Sequence, residues 1–502
     1  MAKGDMPVLV GVGQAVSHWD GSAGPGGAPS PLSLAADASK AALADAGLAA
    51  GEVDALAFVR IFEDSIPSAP HPHGHNTNLP GTLAREIGAA PQRLIYSDVG
   101  GQSPQALVNE FAAAIHAGEA ECALIAGSEA IGANKTARRA GVELDWADGS
   151  ESEMEDRGLG TPLLTRHEIK HGLVAAPFIY ALFETAIAAR KGHTRSAHRA
   201  AMSELFATFS DVAAANAYSQ FPTARSAEWL ATPSKDNYEF ADPFLKWHIA
   251  QDAVNQGAGA ILISESKADA LGIPAGKRVY LHGAGEAGDD PVSLRPRLDL
   301  SWAMDEALSR ALSQAGKSTA DMALFDIYSC FPCAVTSACE AMDIDPLTET
   351  RPLTLTGGLP FFGGPGNNYS LHGIASMAER LRAAPGNFGL VLANGGWMTK
   401  EAAGVYSTAR PDAFTPTAPA AKPSEQVAIA EGPEGGVLET YTVLHGRNGP
   451  ERGITACRTD GGARFLAFAS PEMLLALRED VSQVGRPVAA TTQDETNTVT
   501  FK

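Results

Sequence analysis

Residues 32–47 read LSLAADASKAALADAG, and residues 300–316 read LSWAMDEALSRALSQAG. The two stretches share leucine, serine, alanine and aspartate at a constant offset, and with one inserted residue the match extends to Ala42 with Ala311 and Gly47 with Gly316. Each copy precedes an acidic turn and a strand-like run, at residues 55–60 and 324–328. This repeated helix and strand pattern predicts two related α/β halves.

Strand-like and helical stretches alternate around the first copy. Strands are predicted near residues 7–12, 55–60, 94–97 and 122–126, and helices near residues 32–46, 82–87 and 102–116. Strands that alternate with helices favour a mostly parallel sheet covered on both faces.

Three further segments stand apart from the halves. Residues 132–242 are polar and charged, which indicates an insertion, and QGAGAILISES at residues 256–266 rejoins the first half. A Pro/Ala/Thr-rich linker is predicted at 410–423, then a small β-rich barrel or sandwich at 424–502 with a disordered tail after about Ala490. The predicted halves are residues 1–131 with 243–272, and residues 273–409.

Charge and cysteine content limit the partners and the compartment. The formal net charge is −20, a field that repels nucleic acids and anionic membranes, so neither is an expected partner. Five scattered cysteines do not describe a disulfide framework. The short apolar run at residues 7–12 is too short for a signal or a membrane span. We expect a cytoplasmic protein.

Three glycine-rich turns follow strand-like runs. They are GGQSPQ at residues 100–105, TGGLPFFGGPGNNYSLHG at 356–373 and ANGGW at 393–397. Glycine lets backbone approach a ligand closely, and strand ends followed by helix N-termini are where open α/β sheets bind ligands. The three turns therefore predict one shared site.

Single residues in these turns allow more than one interpretation. Ser103 is not a hydrolase nucleophile, because Gln105 replaces the second glycine of G-x-S-x-G, and it suits an N-cap before Pro104. His372 is either a structural histidine or a catalytic base. Cys330 is either an acid/base thiol or a small buried side chain.

Two short patterns resemble metal sites. Cys330 and Cys333 form a C-x-x-C pair, but no second pair supplies the other two zinc ligands. His71, His73 and His75 alternate in a Pro/Gly loop and are potential transition-metal ligands, although a solvated loop explains the same spacing. No metal is expected.

The order of GGQSPQ, AGSEA, NQGAGAILISES, DIYSCF, GGPGNN and ANGG resembles the thiolase superfamily, particularly its sterol-carrier-type branch and the thiolase-like proteins with an extra C-terminal domain. The resemblance covers residues 7–410. It implies an α/β fold with a five-layered αβαβα core, an inserted loop domain and a small β-rich C-terminal domain. It also implies acyl-CoA or coenzyme A as the ligand, no separate cofactor, and a homodimer, with a monomer possible.

The resemblance also maps the catalytic positions. Gly101 stands where ordinary thiolases carry the nucleophilic cysteine, Gly364 where they carry the activating histidine, and Ala393 where they carry the second cysteine. The sequence YSCF at residues 328–331 matches His-Asp-Cys-Phe of the sterol-carrier branch, in which the cysteine is an acid/base group and the histidine contributes to an oxyanion hole.

We therefore expect an acyltransferase-superfamily enzyme of lipid metabolism that acts at or beside a CoA thioester carbonyl without acylating itself, by retro-aldol or Claisen-type chemistry. The expected catalytic residues are Tyr328, Cys330 and His372. The expected substrate-binding residues are Gly101, Ser103, Gly364, Asn367, Asn368, Gly395 and Gly396. Because the chain is acidic, a site for anionic CoA needs its own basic patch. The alternative is a catalytically degenerate acyl-CoA-binding protein.

Overall fold

The computed structural model describes residues 4–422 and 425–502. The predicted boundary between linker and C-terminal domain, at residues 423 and 424, lies outside the described residues, as do residues 1–3 at the start of the first predicted half.

The first half alternates strands and helices as the sequence pattern predicts. Its elements are β1 (Pro7–Val16), α1 (Pro31–Ala46), β2 (Ala55–Val59), α2 (Leu79–Ile87), β3 (Arg93–Tyr96), α3 (Ser103–Ala117) and β4 (Cys122–Glu129). Helix α1 has a Ser30 capping box and ends at Gly47 in the left-handed conformation, the usual signals for helix start and stop.

A long excursion separates β4 from the last strand of this half. It contains α4 (Ile131–Ala140), β5 (Glu155–Asp156), α5 (Arg166–Lys170), α6 (Ala176–Arg190), α7 (Arg195–Ala215), α8 (Ala227–Ala231), β6 (Glu239–Ala241) and β7 (Phe244–Leu245). The chain then returns through β8 (Gln256–Ser264) and α9 (Glu265–Ala270).

The second half is made of β9 (Val279–Gly288), α10 (Trp302–Gln314), β10 (Met322–Ile327), α11 (Pro332–Ala341), α12 (Tyr369–Ala383), β11 (Phe388–Gly395) and β12 (Lys400–Ser407). The chain ends with β13 (Gly435–Gly446), β14 (Gly449–Arg458), β15 (Arg464–Ala469), α13 (Pro471–Ala476), β16 (Pro487–Gln493) and β17 (Thr496–Phe501).

The two halves have the same strand order. The first runs β1-β8-β4-β2 and the second β9-β12-β11-β10, and in both the first two pairings are antiparallel and the third is parallel. The prediction of a mostly parallel sheet was wrong. The last strand of each half, β8 or β12, lies between two other strands of that half and runs antiparallel to both. Strands β1 and β9 pair with each other and join the halves into one sheet of ten strands.

Helices and sheet stack in five layers. Helix α1 covers β1, β8 and β4 on one outside, and α10 covers β9 and β12 on the other. Helices α3 and α12 lie between the halves, where both contact β8 and β11. A Cβ on Gly11 would overlap the carbonyl of Ala42, and one on Gly283 would overlap that of Ala311, so glycine allows the same close helix approach in both halves.

The C-terminal strands close into a barrel of order β13-β14-β15-β17-β16-β13. Along the chain, α13 lies between β15 and β16. This arrangement is that of an OB-fold. The predicted disordered tail after Ala490 was wrong, because β16 and β17 pair along six residues each and complete the barrel. Strand β13 packs against α6, and the buried Arg464 donates to the carbonyls of Ser293 and Arg295.

Among the described helices, none combines the length and the apolar character that crossing a membrane requires.

Candidate active site between the two halves

The three glycine turns meet at one place. The Gly100 N–H donates to Asn367 Oδ1 at 3.0 Å, and Ser370 Oγ donates to the Gly101 carbonyl at 2.8 Å. A Cβ on Gly395 would overlap Gln102 and would lie 2.9 Å from the Gly101 nitrogen. The turns before α3, before α12 and after β11 thus form one site. A glycine lies at each of these contacts, and its lack of a side chain allows the turns to approach closely.

Tyr328 fills the space in which a side chain at position 101 would begin. A Cβ built on Gly101 would overlap the Tyr328 hydroxyl, lying only 2.7 Å from Cζ of the ring and 2.5 Å from the Asn394 carbonyl oxygen. A cysteine cannot occupy position 101 unless Tyr328 moves. The space beside Gly101 is therefore filled by a phenol and is not empty.

Tyr328 lies just beyond the end of β10, and its backbone N–H donates to the Leu392 carbonyl at 3.1 Å. Its ring packs edge-on against Tyr369, with centroids 5.2 Å apart. Burial raises the pKa of the Tyr328 phenol well above its ordinary value, so it is a protonated donor at neutral pH. The strand-like run predicted at residues 324–328 ends one residue earlier in the structure, at Ile327, so Tyr328 and Cys330 both belong to the following turn.

Cys330 lies in a cluster with Asn394 and Tyr180. The Asn394 amide donates to the Tyr180 hydroxyl at 3.0 Å and approaches Cys330 Sγ at 3.8 Å. Tyr180 comes from α6 of the excursion and stacks on Phe331 at 4.3 Å. Burial raises the pKa of the Cys330 thiol to about 12, although a hydrogen bond from Tyr180 opposes the shift. Cys330 is therefore a neutral thiol at physiological pH.

Glu401 is the site residue that the sequence analysis missed. It is the cross-strand partner of Asn394 on β12, so both side chains project from the same face of the sheet. Glu401 is only 2% exposed, and neither carboxyl oxygen has a hydrogen-bond partner among the described residues. Burial raises its pKa well above the ordinary value, opposed by the positive charge of Arg295. A glutamate in the otherwise apolar run EAAGVY was the available sequence signal.

Arg295 and Asn394 hold a strained turn beside this carboxyl group. Trp397 and Met398 have φ values of 62° and 56°, in the left-handed region that large side chains rarely adopt. Asn394 Oδ1 accepts from the Met398 N–H at 3.1 Å, and Arg295 Nη2 donates to the Trp397 carbonyl at 3.1 Å. Backbone strain of this kind concentrates at functional sites.

His372 is buried one turn along α12 from Tyr369. Its Nδ1 hydrogen-bonds Gln14 Oε1 at 2.8 Å and its ring packs against Phe362, whereas the described hydrogen bonds and ring contacts include none to Tyr328 or Cys330. Burial lowers the pKa of His372 to about 3, so the imidazole is neutral. Its Nε2 is buried without a partner in the described chain.

The predicted substrate-binding residues divide into two groups. Gly101 and Gly395 line the contact between the turns, and the Gly364 N–H donates to Gln251 within the same region. Asn367 is fully engaged, since its amide also donates to the Arg60 carbonyl and to Ser65 Oγ. Asn368 is also buried, and both its amide atoms lack partners among the described residues.

Ser103 and Gly396 lie at the margin of the site. Helix α3 begins at Ser103 itself, and Gln102 is its N-cap without a side-chain cap bond, so the N-cap interpretation of Ser103 was wrong. Its hydroxyl instead hydrogen-bonds Asp98 at 3.2 Å. Gly396 has a left-handed φ of 57° and adjoins Leu163.

A basic and aromatic cleft lies beside the second glycine turn. Arg225, Lys246, Trp229 and Trp247 line an open cleft of about 530 Å³, in which the Arg225 guanidinium lies 3.6 Å from the Trp247 ring centroid. Neither cation pairs with a carboxylate in the part of the chain described. Burial lowers the pKa of Arg225 to about 10.

The same segment links this cleft to Cys330. Trp247 stacks on Phe361 of the second glycine turn, with ring centroids 6.1 Å apart. Three residues after Trp247, the Ala250 N–H donates to the Cys330 carbonyl at 2.9 Å. The cleft therefore adjoins the site.

Comparison with known proteins identifies both parts of the chain. A family model described as "Thiolase-like protein type 1 additional C-terminal domain" matches residues 416–496, beginning within the predicted linker. None of the curated proteins compared matches the chain. A monomeric SCP2-thiolase-like protein type 1 from Mycobacterium smegmatis is similar over 100% of both chains, with 36% identity and a TM-score of 0.82.

Two more distant structures share the fold. The Ltp2-ChsH2(DUF35) aldolase matches 80% of this chain and 97% of its own, with 17% identity and a TM-score of 0.59. The acetyl-CoA acetyltransferase of Syntrophomonas wolfei matches 81% of this chain and 100% of its own, with 16% identity and a TM-score of 0.57. Full-length similarity to the mycobacterial protein, together with the C-terminal family match, shows that this chain belongs to the SCP2-thiolase-like protein type 1 family of the thiolase superfamily.

Proposed function

We propose that the protein is an enzyme that makes or breaks a carbon–carbon bond beside the thioester carbonyl of an acyl-CoA, without an acyl-enzyme intermediate. The observation that carries this proposal is the position of Tyr328, whose hydroxyl fills the space beside Gly101 within a buried cluster of proton donors and one unpaired carboxyl group. A solved structure with the same fold is named an aldolase, which is consistent with this class of reaction.

The site supplies one group for each proton movement of a retro-aldol cleavage. In its ionised form Glu401 accepts the proton of the β-hydroxyl of a β-hydroxyacyl-CoA, the bond between the α and β carbons breaks, and a carbonyl product and a thioester enolate form. Tyr328, with Cys330 and Asn394 beside it, donates hydrogen bonds to the enolate oxygen. Return of the proton to the α carbon completes the reaction and leaves the enzyme unchanged. Burial raises the pKa of this carboxyl group, which makes its ionised form a stronger proton acceptor.

We propose that the cleft of Arg225, Lys246, Trp229 and Trp247 holds the nucleotide end of CoA. The two cations suit the phosphates and the indole rings suit the adenine. These two cations supply the local positive charge that an anionic ligand needs on a chain with a net charge of −20. Arg225→Ala should weaken CoA binding, and Arg447→Ala, which changes an exposed arginine in the turn between β13 and β14, is the matched control.

The experiment is a panel of acyl-CoA and β-hydroxyacyl-CoA esters, with the products followed by mass spectrometry and the intact protein mass recorded in parallel. Products of carbon–carbon cleavage or formation, an unchanged protein mass and negligible thiolysis of acetoacetyl-CoA are the expected results. A covalently acylated protein would contradict the proposal.

The second candidate is a non-catalytic acyl-CoA-binding protein. The observation that favours it is that the hydrogen bond of His372 is to Gln14, so the described contacts bring this histidine to neither Tyr328 nor Cys330. Saturable CoA binding with no turnover of any ester in the panel, unaltered by Glu401→Gln, would select this function. No cofactor beyond CoA as substrate enters either proposal.

We further propose that the protein acts as a monomer in the cytoplasm. The mycobacterial relative is described as monomeric, and all five cysteines of this chain are free, which suits a reducing compartment.

A further inference from the structure

Asp64, His71 and His75 bring three ligand atoms together in the loop between β2 and α2. His75 Nε2 lies 3.2 Å from Asp64 Oδ1, and His71 Nε2 lies 3.7 Å from the same oxygen. Ligand atoms of a tetrahedral zinc site, with bonds of about 2.0 to 2.2 Å, are separated by about 3.3 to 3.5 Å. The spacing therefore fits a shared divalent ion.

Groups behind the ligands hold them in orientation. His71 Nδ1, the nitrogen that faces away from Asp64, lies 3.6 Å from Glu63 Oε2. The Tyr96 hydroxyl donates to the second oxygen of Asp64 at 2.6 Å. A carboxylate behind a metal-binding histidine and a donor behind a metal-binding carboxylate are the supporting contacts typical of protein metal sites.

A second cluster of potential metal ligands differs, because an arginine of the protein neutralises its carboxylate charge. Glu239, Asp242 and His445 also lie within ligand distance of one another. There Arg195 bonds Glu239 at 2.6 Å and Asp242 at 2.5 Å, so a guanidinium occupies the position of a cation. Among the described ion pairs, Asp64 and Glu63 pair with histidines alone.

The Asp64 cluster is accessible from a cleft of about 130 Å³ that His71, His75, Asn76 and Asp148 help to line. Asp64 itself is mostly buried, whereas the His75 side chain is 44% exposed, so a fourth coordination position faces solvent. His73, the remaining histidine of the loop, turns its ring away against Trp146, with centroids 4.8 Å apart.

The loop is tied to the candidate active site. Ser65, next to Asp64, accepts a hydrogen bond from Asn367 at 2.9 Å, and Asn367 accepts from the Gly100 N–H at 3.0 Å. An ion that fixes residues 63–75 would therefore also fix the support of the turn containing Gly101.

We propose that Asp64, His71 and His75 bind one divalent transition-metal ion of the zinc type, with Glu63 orienting His71 and water completing the coordination. The ion stabilises the loop between β2 and α2. This site departs from the sequence expectation of no metal and does not depend on the proposed carbon–carbon chemistry.

The test is calorimetric titration of Zn²⁺ into chelator-treated full-length protein that carries no histidine tag. We expect one ion per chain and a higher thermal midpoint with zinc. Asp64→Asn and His75→Gln each remove a ligand and should lower the affinity by more than 100-fold, and Glu63→Gln should lower it about 10- to 100-fold.

His73→Gln is the matched control, because it removes a histidine of the same loop that is not a ligand. It should keep wild-type affinity; if it does not fold, the same role passes to His445→Gln in the arginine-filled cluster. Absence of saturable zinc binding to the wild type would overturn the proposal. So would an Asp64→Asn protein that binds zinc as tightly as the wild type, since adventitious binding to surface histidines does not need the carboxylate.

Discussion

The Tyr328 hydroxyl occupies the position at which a side chain on Gly101 would start. The two residues come from different halves of the chain, so the identity of one limits the other. We expect Gly101→Ala to destabilise the protein by about 1–3 kcal/mol, because the new methyl group overpacks against the phenol. Denaturant unfolding measures this change.

Gly364→Ala is the matched control for that variant. A Cβ on Gly364 would have its nearest neighbours at 3.4 Å or more, so this glycine in the same site should tolerate alanine. In the double mutant with Tyr328→Ala, the part of the cost of Gly101→Ala that the phenol causes should disappear, while the overlap with the Asn394 carbonyl remains, giving a coupling energy of about 0.5–3 kcal/mol. Strict additivity of the two changes would show that the residues do not compete for space.

Glu401→Gln should stabilise the protein and inactivate it. Burial raises the pKa of Glu401 above its ordinary 4.5, so the folded state binds the proton more tightly than the unfolded state. The stability of the wild type should therefore fall as pH rises from about 4.5 to the folded pKa, and the penalty should persist above it.

The glutamine variant lacks this slope. Above the folded pKa of Glu401, we expect the glutamine variant to be more stable than the wild type by about 1–3 kcal/mol. Its turnover of an acyl-CoA substrate should fall about 100- to 10,000-fold. Thermal unfolding from pH 4 to pH 8 checks the first result. A stability difference that does not vary with pH would mean that Glu401 does not carry the buried charge.

Tyr328→Phe and Cys330→Ala should each slow turnover by about 100- to 10,000-fold with CoA affinity changed by only a few-fold, because both remove a donor and keep the fold. The rate constant and the Michaelis constant should be measured separately. Wild-type rates in both variants would mean that the chemistry occurs elsewhere.

His372→Ala tests the third residue of the predicted catalytic set, for which slower turnover is also expected. Because His372 Nδ1 bonds Gln14, Gln14→Leu should reproduce the effect if the histidine acts through its orientation. If His372→Ala loses stability and keeps its rate, the histidine is a structural residue of the core.

The protein should be monomeric in light scattering across a range of concentrations. Strand β5 pairs with β3 at the edge of the sheet, and Arg157 forms a 2.7 Å ion pair with Glu110 that fixes the chain there. An edge strand of only two residues, both exposed and acidic, opposes pairing with a second copy. A stable dimer would show that another surface of the core mediates association.

The sequence determined the architecture of two related halves, because the same local pattern occurs twice along the chain. The two alanine-rich helices and their preceding strands carry the same glycine and alanine positions, so the matching halves follow from residues such as Ala42 and Ala311. Residues close in sequence also located the three glycine turns, which meet at one site in the structure. The β16 and β17 strands were missed, because their polar, threonine-rich residues form strands through pairing within the barrel and not through apolar alternation.

Only the tertiary structure decided which side chains share the site. Tyr180 belongs to the excursion, and Glu401 lies on the strand that pairs with the strand of Asn394. The phenol of Tyr328 contacts Gly101, which lies in the other half of the chain. These residues are far apart in the sequence, so no motif spacing predicts that they meet. His71 and His75 become neighbours of Asp64 through the path of a loop that has no regular period. Sequence determines local conformation through the residues themselves, whereas burial, charge compensation and shared space depend on contacts between distant segments.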